Sequence, residues 1–152
     1  MAHRIEIGLK RGVPDARGDG LTRRARHDLG LPLRRCRTRK VYLVDVPLNR
    51  RTLRAARDAF ADPVIEISAA GRLKPPARFD WLVEVGFKPG VTDNVGRTAE
   101  AVLSDLLDRP LADGERVYTA HQYFLAGPRL CREDAWRLAT ELVANPLIET
   151  VA

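Results

Sequence analysis

The strongest constraint on this chain is that it repeats itself. Ile5-Glu6-Ile7-Gly8-Leu9-Lys10-Arg11-Gly12-Val13-Pro14-Asp15-Ala16-Arg17-Gly18 aligns with Val83-Glu84-Val85-Gly86-Phe87-Lys88-Pro89-Gly90-Val91-Thr92-Asp93-Asn94-Val95-Gly96 at a constant offset of 78, with seven of fourteen positions identical. Average residue usage would give roughly one match by chance. Ala61-Asp62-Pro63-Val64-Ile65-Glu66 then matches Ala144-Asn145-Pro146-Leu147-Ile148-Glu149 at an offset of 83, so the second copy carries five extra residues. Val41-Tyr42-Leu43-Val44-Asp45-Val46-Pro47 aligns more loosely with Gln122-Tyr123-Phe124-Leu125-Ala126-Gly127-Pro128. A fold for this sequence must be buildable twice.

The repeats place residues 1–67 in one copy and 80–152 in the other, joined by a linker at 68–79 that holds Gly71, Pro75 and Pro76. Each copy opens with period-two alternation, Ile5, Ile7, Leu9 and Val83, Val85, Phe87, which predicts a half-buried strand. A helix follows, with apolar positions at Val95, Ala99, Val102, Leu103, Leu106 and Leu107 in the second copy. In the first copy only Leu21, Ala25 and Leu29 remain, ending at Gly30 as a left-handed cap. The stretches Arg35 to Val46 and Val117 to Leu125 are either one bent strand or a hairpin. Second helices are expected over about Arg50 to Ala61, capped by Asn49, and over Arg132 to Ala144, where Glu133 and Asp134 favour the positive N-terminal end. Pro63 and Pro146 stop them, and last strands run over Val64 to Ala69 and Leu147 to Val151.

The unit is therefore β-α-β-α-β, or a ferredoxin-like β-α-β-β-α-β if the middle folds back. A unit of this size is marginal alone, burying only about 60% of its unfolded surface, so the fold class expected is α+β with the two units paired as an internal pseudo-dimer.

Several kinds of chemistry lack their sequence signatures. No phosphate-binding loop is present, and Gly18-Asp19-Gly20 lacks the third glycine and the preceding strand of a dinucleotide fingerprint. Neither Ser68 nor Ser104 lies in a nucleophile elbow. Cys36 sits among Arg34, Arg35 and Arg37, which would favour a thiolate, but no histidine adjoins it to act as a base. Cys36 and Cys131 fit no metal spacing and are read as reduced thiols; His3, His27 and His121 form no ligand pair, and His121 is read as structural. Lys88-Pro89-Gly90-Val91-Thr92-Asp93 could hold an anion, but its preferred reading is a turn leading into an Asp-initiated helix. No catalytic, cofactor-binding or metal-binding residue is assigned, and no cofactor is expected.

Charge divides unevenly. The net +6 combines +11 in residues 1–79 with −5 in residues 80–152, and 22 arginines supply most of the basic groups. Arg34, Arg35, Arg37, Arg39 and Lys40 form one cluster; Arg50, Arg51, Arg54 and Arg57 form another. These are either a solvated face that also attracts the acidic copy, or a docking surface for an acidic protein or nucleic acid. No apolar run is long enough to span a bilayer, and Glu6 interrupts any leader-like stretch, so a cytoplasmic location is expected.

Lys88-Pro89-Gly90-Val91 with Asp93 and Gly96, followed at the last strand by Asn145-Pro146-Leu147-Ile148-Glu149, resembles the small PurS-type subunit of phosphoribosylformylglycinamidine synthase. The likeness covers the second copy almost end to end, and the first is similar with Arg11, Pro14 and Asp62 altered. The resemblance implies a noncatalytic scaffold in purine biosynthesis that pairs with a second copy. Its partners would be an ATP-using synthetase and an ammonia-supplying glutaminase. A tandem in one chain resembles the N-terminal region of the large single-chain synthase, which suggests that this chain is a piece of such an enzyme or its separate subunit. Two other classes are carried behind it: an ACT-like regulatory tandem binding a small molecule between its copies, and an RNA-binding module, for which the basic half offers only Tyr42, Phe60 and Phe79 as aromatics.

Overall fold

The computed structural model describes residues 2–152. In chain order the elements are β1 (His3–Leu9), α1 (Ala16–Leu29), β2 (Arg35–Asp45), α2 (Arg50–Phe60), β3 (Glu66–Ala70), β4 (Trp81–Phe87), α3 (Asn94–Leu107), β5 (Arg116–Ala126), α4 (Arg132–Leu138) and β6 (Glu149–Val151). The class is α+β. Six strands join in one sheet of order β3-β1-β2-β5-β4-β6, with β1 antiparallel to β3 and β4 antiparallel to β6. The middle stretch of each repeat is a single strand of 11 residues, so each repeat reads β-α-β-α-β.

Helix ends follow their local chemistry. Asn49 caps α2 by accepting from the Thr52 amide at 2.8 Å, and Gly30 closes α1 in the left-handed region at φ 61°. The expected helix to Ala144 is regular only to Leu138 and then widens into a π-helical turn at Ala139–Val143.

The last strands start later than the apolar runs suggested. Asp62 and Asn145 each open a closed turn in which the Glu66 or Glu149 carboxylate accepts the Asp62 or Asn145 amide, at 2.7 and 2.6 Å. The turn holds Val64 and Leu147 outward, 76% and 83% exposed, rather than in a strand.

The chain divides into two compact units, and these partition it differently from the sequence repeats. One unit comprises the segment ending at Val13 together with Lys40–Leu73 and Thr92–Ala120. Its core joins Ile5 and Ile7 of β1, Tyr42 and Val44 of β2 and Ala56 of α2 to Ala99 and Leu103 of α3. The other comprises Pro14–Arg39, Lys74–Val91 and His121–Ala152. Here Leu21 and Ala25 of α1 pack with Val83 and Val85 of β4, Tyr123 and Leu125 of β5, and Leu138 of α4. Each core therefore takes its first helix from the opposite repeat.

The 68–79 segment is anchored rather than free. Ser68–Ala70 belongs to β3. In the first unit the Leu73 amide donates to the buried Glu6 carboxylate at 2.7 Å, and the Gly71 amide to the Arg4 carbonyl at 2.6 Å. In the second unit the Arg39 guanidinium donates to the Lys74 carbonyl at 2.6 Å, and Phe79 meets Phe124 edge-on with ring centres 5.1 Å apart.

Candidate functional site: paired aspartates and an arginine-lined depression

The motifs that carry the repeat resolve into the same hydrogen-bonded device, built twice. Asp15, at the start of α1, accepts from the Gly18 amide at 2.8 Å and from the Thr38 amide and hydroxyl of β2 at 2.6 and 3.0 Å. Asp93, at the start of α3, accepts from the Gly96 amide at 2.7 Å and from the Thr119 amide and hydroxyl of β5 at 2.7 and 2.8 Å. One carboxylate thus caps a helix and pins it to a strand. The glycine is needed because helix and strand touch there: a Cβ on Gly18 would lie 2.2 Å from the Cys36 carbonyl oxygen, and one on Gly96 would lie 2.4 Å from that of Val117.

The lysines belong to the same scheme. Lys10 Nζ donates to the Pro63 carbonyl at 2.6 Å and Lys88 Nζ to the Pro146 carbonyl at 2.5 Å, tying each first strand to the turn before each last one. Gly12 and Gly90 take φ of 85° and 83° in the intervening turns, a region that favours glycine. The Lys88 to Asp93 segment is therefore a turn and a helix entry, and its ammonium and carboxylate are both occupied by the chain itself.

Cys36 lies fully buried in the second unit's core. Burial, then the nearby Asp15 and Asp19 carboxylates, push its thiol up to about 12, against a smaller downward pull from Arg37. At neutral pH it is a protonated core residue, so the arginines beside it in sequence do not activate it. Cys131 is exposed and both cysteines are free. His3 accepts the Leu48 amide at 3.4 Å, and His121 lies 6.5 Å from the Tyr123 ring. Among the described residues no group of histidines, cysteines and carboxylates is placed to hold a metal ion.

The arginine cluster of the first copy splits in two. Arg39 is buried against the Phe124 ring, 4.8 Å from its centre, while Lys40 pairs with Glu66 at 2.6 Å. Arg34 and Arg35 are exposed and instead line a depression of about 560 Å³ in the second unit, together with Arg78, Phe79, Asp80 and Pro128. A second depression of about 450 Å³ shares Arg34 and Pro128 with it and adds Arg129. The guanidinium groups of Arg34, Arg35, Arg78 and Arg129 have no partner among the described residues. Arg26 is engaged, donating to the Leu33 and Arg34 carbonyls at 2.6 and 2.9 Å, which fixes the backbone entering β2. Asp80 supplies the wall's carboxylate, which accepts the Gly127 amide at 2.7 Å, and its own amide donates to Leu125.

Sequence reasoning placed Arg34 and Arg35 in a basic cluster but left Arg78 and Phe79 in the 68–79 linker and Asp80 at the start of the second copy, with no role for any of the three. The available signal was their composition, a cation, an aromatic ring and a carboxylate in succession after Pro75-Pro76. No protein-family model matches the chain, and no curated protein matches it. No described helix is long and apolar enough to cross a membrane.

Proposed function

We propose that this chain is a noncatalytic coupling domain of PurS type within a cytoplasmic phosphoribosylformylglycinamidine synthase. Its two β-α-β-α-β repeats act as an internal pseudo-dimer and organise a synthetase and a glutaminase for ammonia transfer in purine biosynthesis.

One observation carries this reading: the residues that bear the resemblance perform the same structural work in both copies. Lys10 and Lys88, Asp15 and Asp93, and Asp62 and Asn145 make matching bonds at matching distances. A chance likeness between short motifs carries no such requirement. The polar groups of the motif are committed to holding backbone, which suits a body whose task is to position others. Val64 and Leu147, held outward by those turns, and Trp136, 58% exposed, supply apolar contact area for partners.

Reconstitution tests it. A synthetase lacking this region is mixed with a glutaminase, with and without the chain, and glutamine-dependent turnover is compared with ammonia-dependent turnover. The expected result is that the chain raises the former and leaves the latter nearly unchanged. Glutamine-dependent turnover that ignores the chain refutes the coupling role.

A further inference from the structure

The depression between Arg34, Arg35 and Arg78 concentrates positive charge in a concave surface. Each of these guanidinium groups lacks a partner among the described residues, and the one carboxylate in the wall, Asp80, already accepts the Gly127 amide. The lining therefore carries three cationic groups against one anionic, an excess of two. A phosphate monoester carries about −1.5 to −2 at neutral pH, which offsets that excess. Guanidinium forks also suit phosphate oxygens, because each presents two parallel donors in a plane.

Apart from Asp80, the rest of the wall is apolar. Phe79 is 38% exposed while its ring is steadied edge-on against Phe124, and Ala126 and Pro128 continue the surface. An aromatic face beside a phosphate cradle fits a ligand with a planar ring attached to its phosphate. The volume, about 560 Å³, lies within the usual range for small-molecule sites. Asp80 retains a second carboxylate oxygen to accept from a hydroxyl or an exocyclic amine.

We propose that this depression is a binding site for a phosphate monoester bearing a planar ring, the nucleoside monophosphate class. The phosphate sits among Arg34, Arg35 and Arg78, and the ring lies on Phe79. The site belongs to the second unit alone and does not depend on the coupling role.

The test is titration of the full chain with AMP by calorimetry, beside adenosine, inorganic phosphate and a single-stranded oligouridylate. AMP is expected to bind with a Kd of about 0.1 to 1 mM, in competition with inorganic phosphate, while adenosine does not bind. Arg35→Gln and Arg78→Gln each lower AMP affinity about tenfold or more, and Phe79→Leu lowers AMP affinity while leaving inorganic phosphate unchanged. Both arginines are exposed at the surface, so these variants keep the fold, as an unchanged melting curve verifies. The proposal is overturned by absence of binding at millimolar AMP, by equal binding of adenosine, or by arginine variants that bind as the parent does. It is equally overturned if the oligouridylate binds more tightly than AMP through the same arginines, since the surface then serves RNA.

Discussion

Three glycines separate close packing from helix propensity in one experiment. Gly18 and Gly20 lie in the same helix, and Gly96 is the counterpart of Gly18 in α3. In an ordinary helix interior, Gly→Ala stabilises by about 0.5 to 1 kcal/mol. At Gly20 the nearest atom to a new Cβ is the tip of Arg23, 3.9 Å away, so the gain is realised in full. At Gly18 and Gly96 the Cβ would meet a backbone carbonyl at 2.2 and 2.4 Å, where side-chain carbons do not come nearer than 3.0 Å. Helix and strand must part by about 1 Å, an overpacking cost of about 1 to 3 kcal/mol. Parting them also stretches the Asp15 or Asp93 bonds to Thr38 or Thr119, each charge-assisted and worth about 1.5 to 3 kcal/mol when intact. After the propensity gain is subtracted, Gly18→Ala and Gly96→Ala lose about 2 kcal/mol each. For a chain of this size 1 kcal/mol moves the midpoint by about 2 to 4 °C, so Tm falls by about 4 to 8 °C for these variants and rises by about 1 to 4 °C for Gly20→Ala. Thermal unfolding followed by circular dichroism reads all three. If Gly18→Ala melts within a degree of the parent, or Gly20→Ala is as damaged as Gly18→Ala, the close approach is not what demands glycine.

The aspartates at the same junctions are next. Asp15→Ala removes a cap and two strand bonds and is expected to cost about 2 to 4 kcal/mol in urea unfolding, with Asp15→Asn milder because an acceptor survives; equal losses would discount the charge. Glu6→Ala frees the Leu73 amide, so limited proteolysis is expected to cut within residues 71–79 faster than in the parent, and an unchanged cleavage pattern would mean that other contacts hold the segment. A thiol reagent at pH 8 is expected to titrate Cys131 quickly and Cys36 only as the protein unfolds. The Cys36 thiol is raised from 9.0 to about 12, so its contribution to stability is complete below pH 9 and fades as pH climbs toward 12. Cys36→Ala is therefore expected to flatten the alkaline loss of stability, and an identical alkaline profile would speak against the shift. Finally, residues 1–73 and 74–152 made as separate fragments should each melt without cooperativity and regain it on mixing, since each core needs a helix from the other fragment; cooperative melting of either fragment alone would contradict the exchanged cores.

The repeat was legible because its motif residues are bound by local geometry. An aspartate three residues before a helical glycine and a glutamate four residues after an Asx close bonds within short stretches of chain, so their spacing is preserved. The lysine bonds to Pro63 and Pro146, by contrast, span more than fifty residues and carry no such local signal. Gly30 and Asn49 were legible as caps because they too act over short stretches. The exchange of α1 and α3 between cores was not. Leu21 and Ala25 present the same apolar stripe as Ala99 and Leu103, and a stripe states that a face is buried without stating against which strands. The arginine cluster was opaque for a related reason. Arg35, Arg37 and Arg39 alternate along one strand and share a face, yet Arg39 is buried and Arg35 exposed. What separates them is the path of residues 71–80, which brings the Lys74 carbonyl to Arg39, and no periodicity in β2 encodes that path.

In a duplicated chain, features present in both copies report the fold, and features present once report what one copy holds alone. The aspartate device is in both. The arginine-lined depression takes its cations from the first copy and the joining segment, and the offset of 81 relating β2 to β5 shows what stands at the matching place in the second copy. Arg34 just before β2 corresponds to Glu115 just before β5, a reversal of charge at the same place in the repeat. Glu115 is met by Arg109 in a two-point bond at 2.8 and 3.0 Å, and that bond, with the Ala112 amide, draws its carboxyl down to about 2. The second copy therefore neutralises this corner from within. The first copy leaves Arg34 without an acid; Arg35 has its counterpart in Arg116, and Arg78 and the Phe79 ring come from the segment joining the repeats. Scaffold geometry asks nothing of this arrangement, because the corresponding corner of the second copy holds its strand with the charge cancelled. The unpaired guanidinium groups are what an anion from outside the chain would complete.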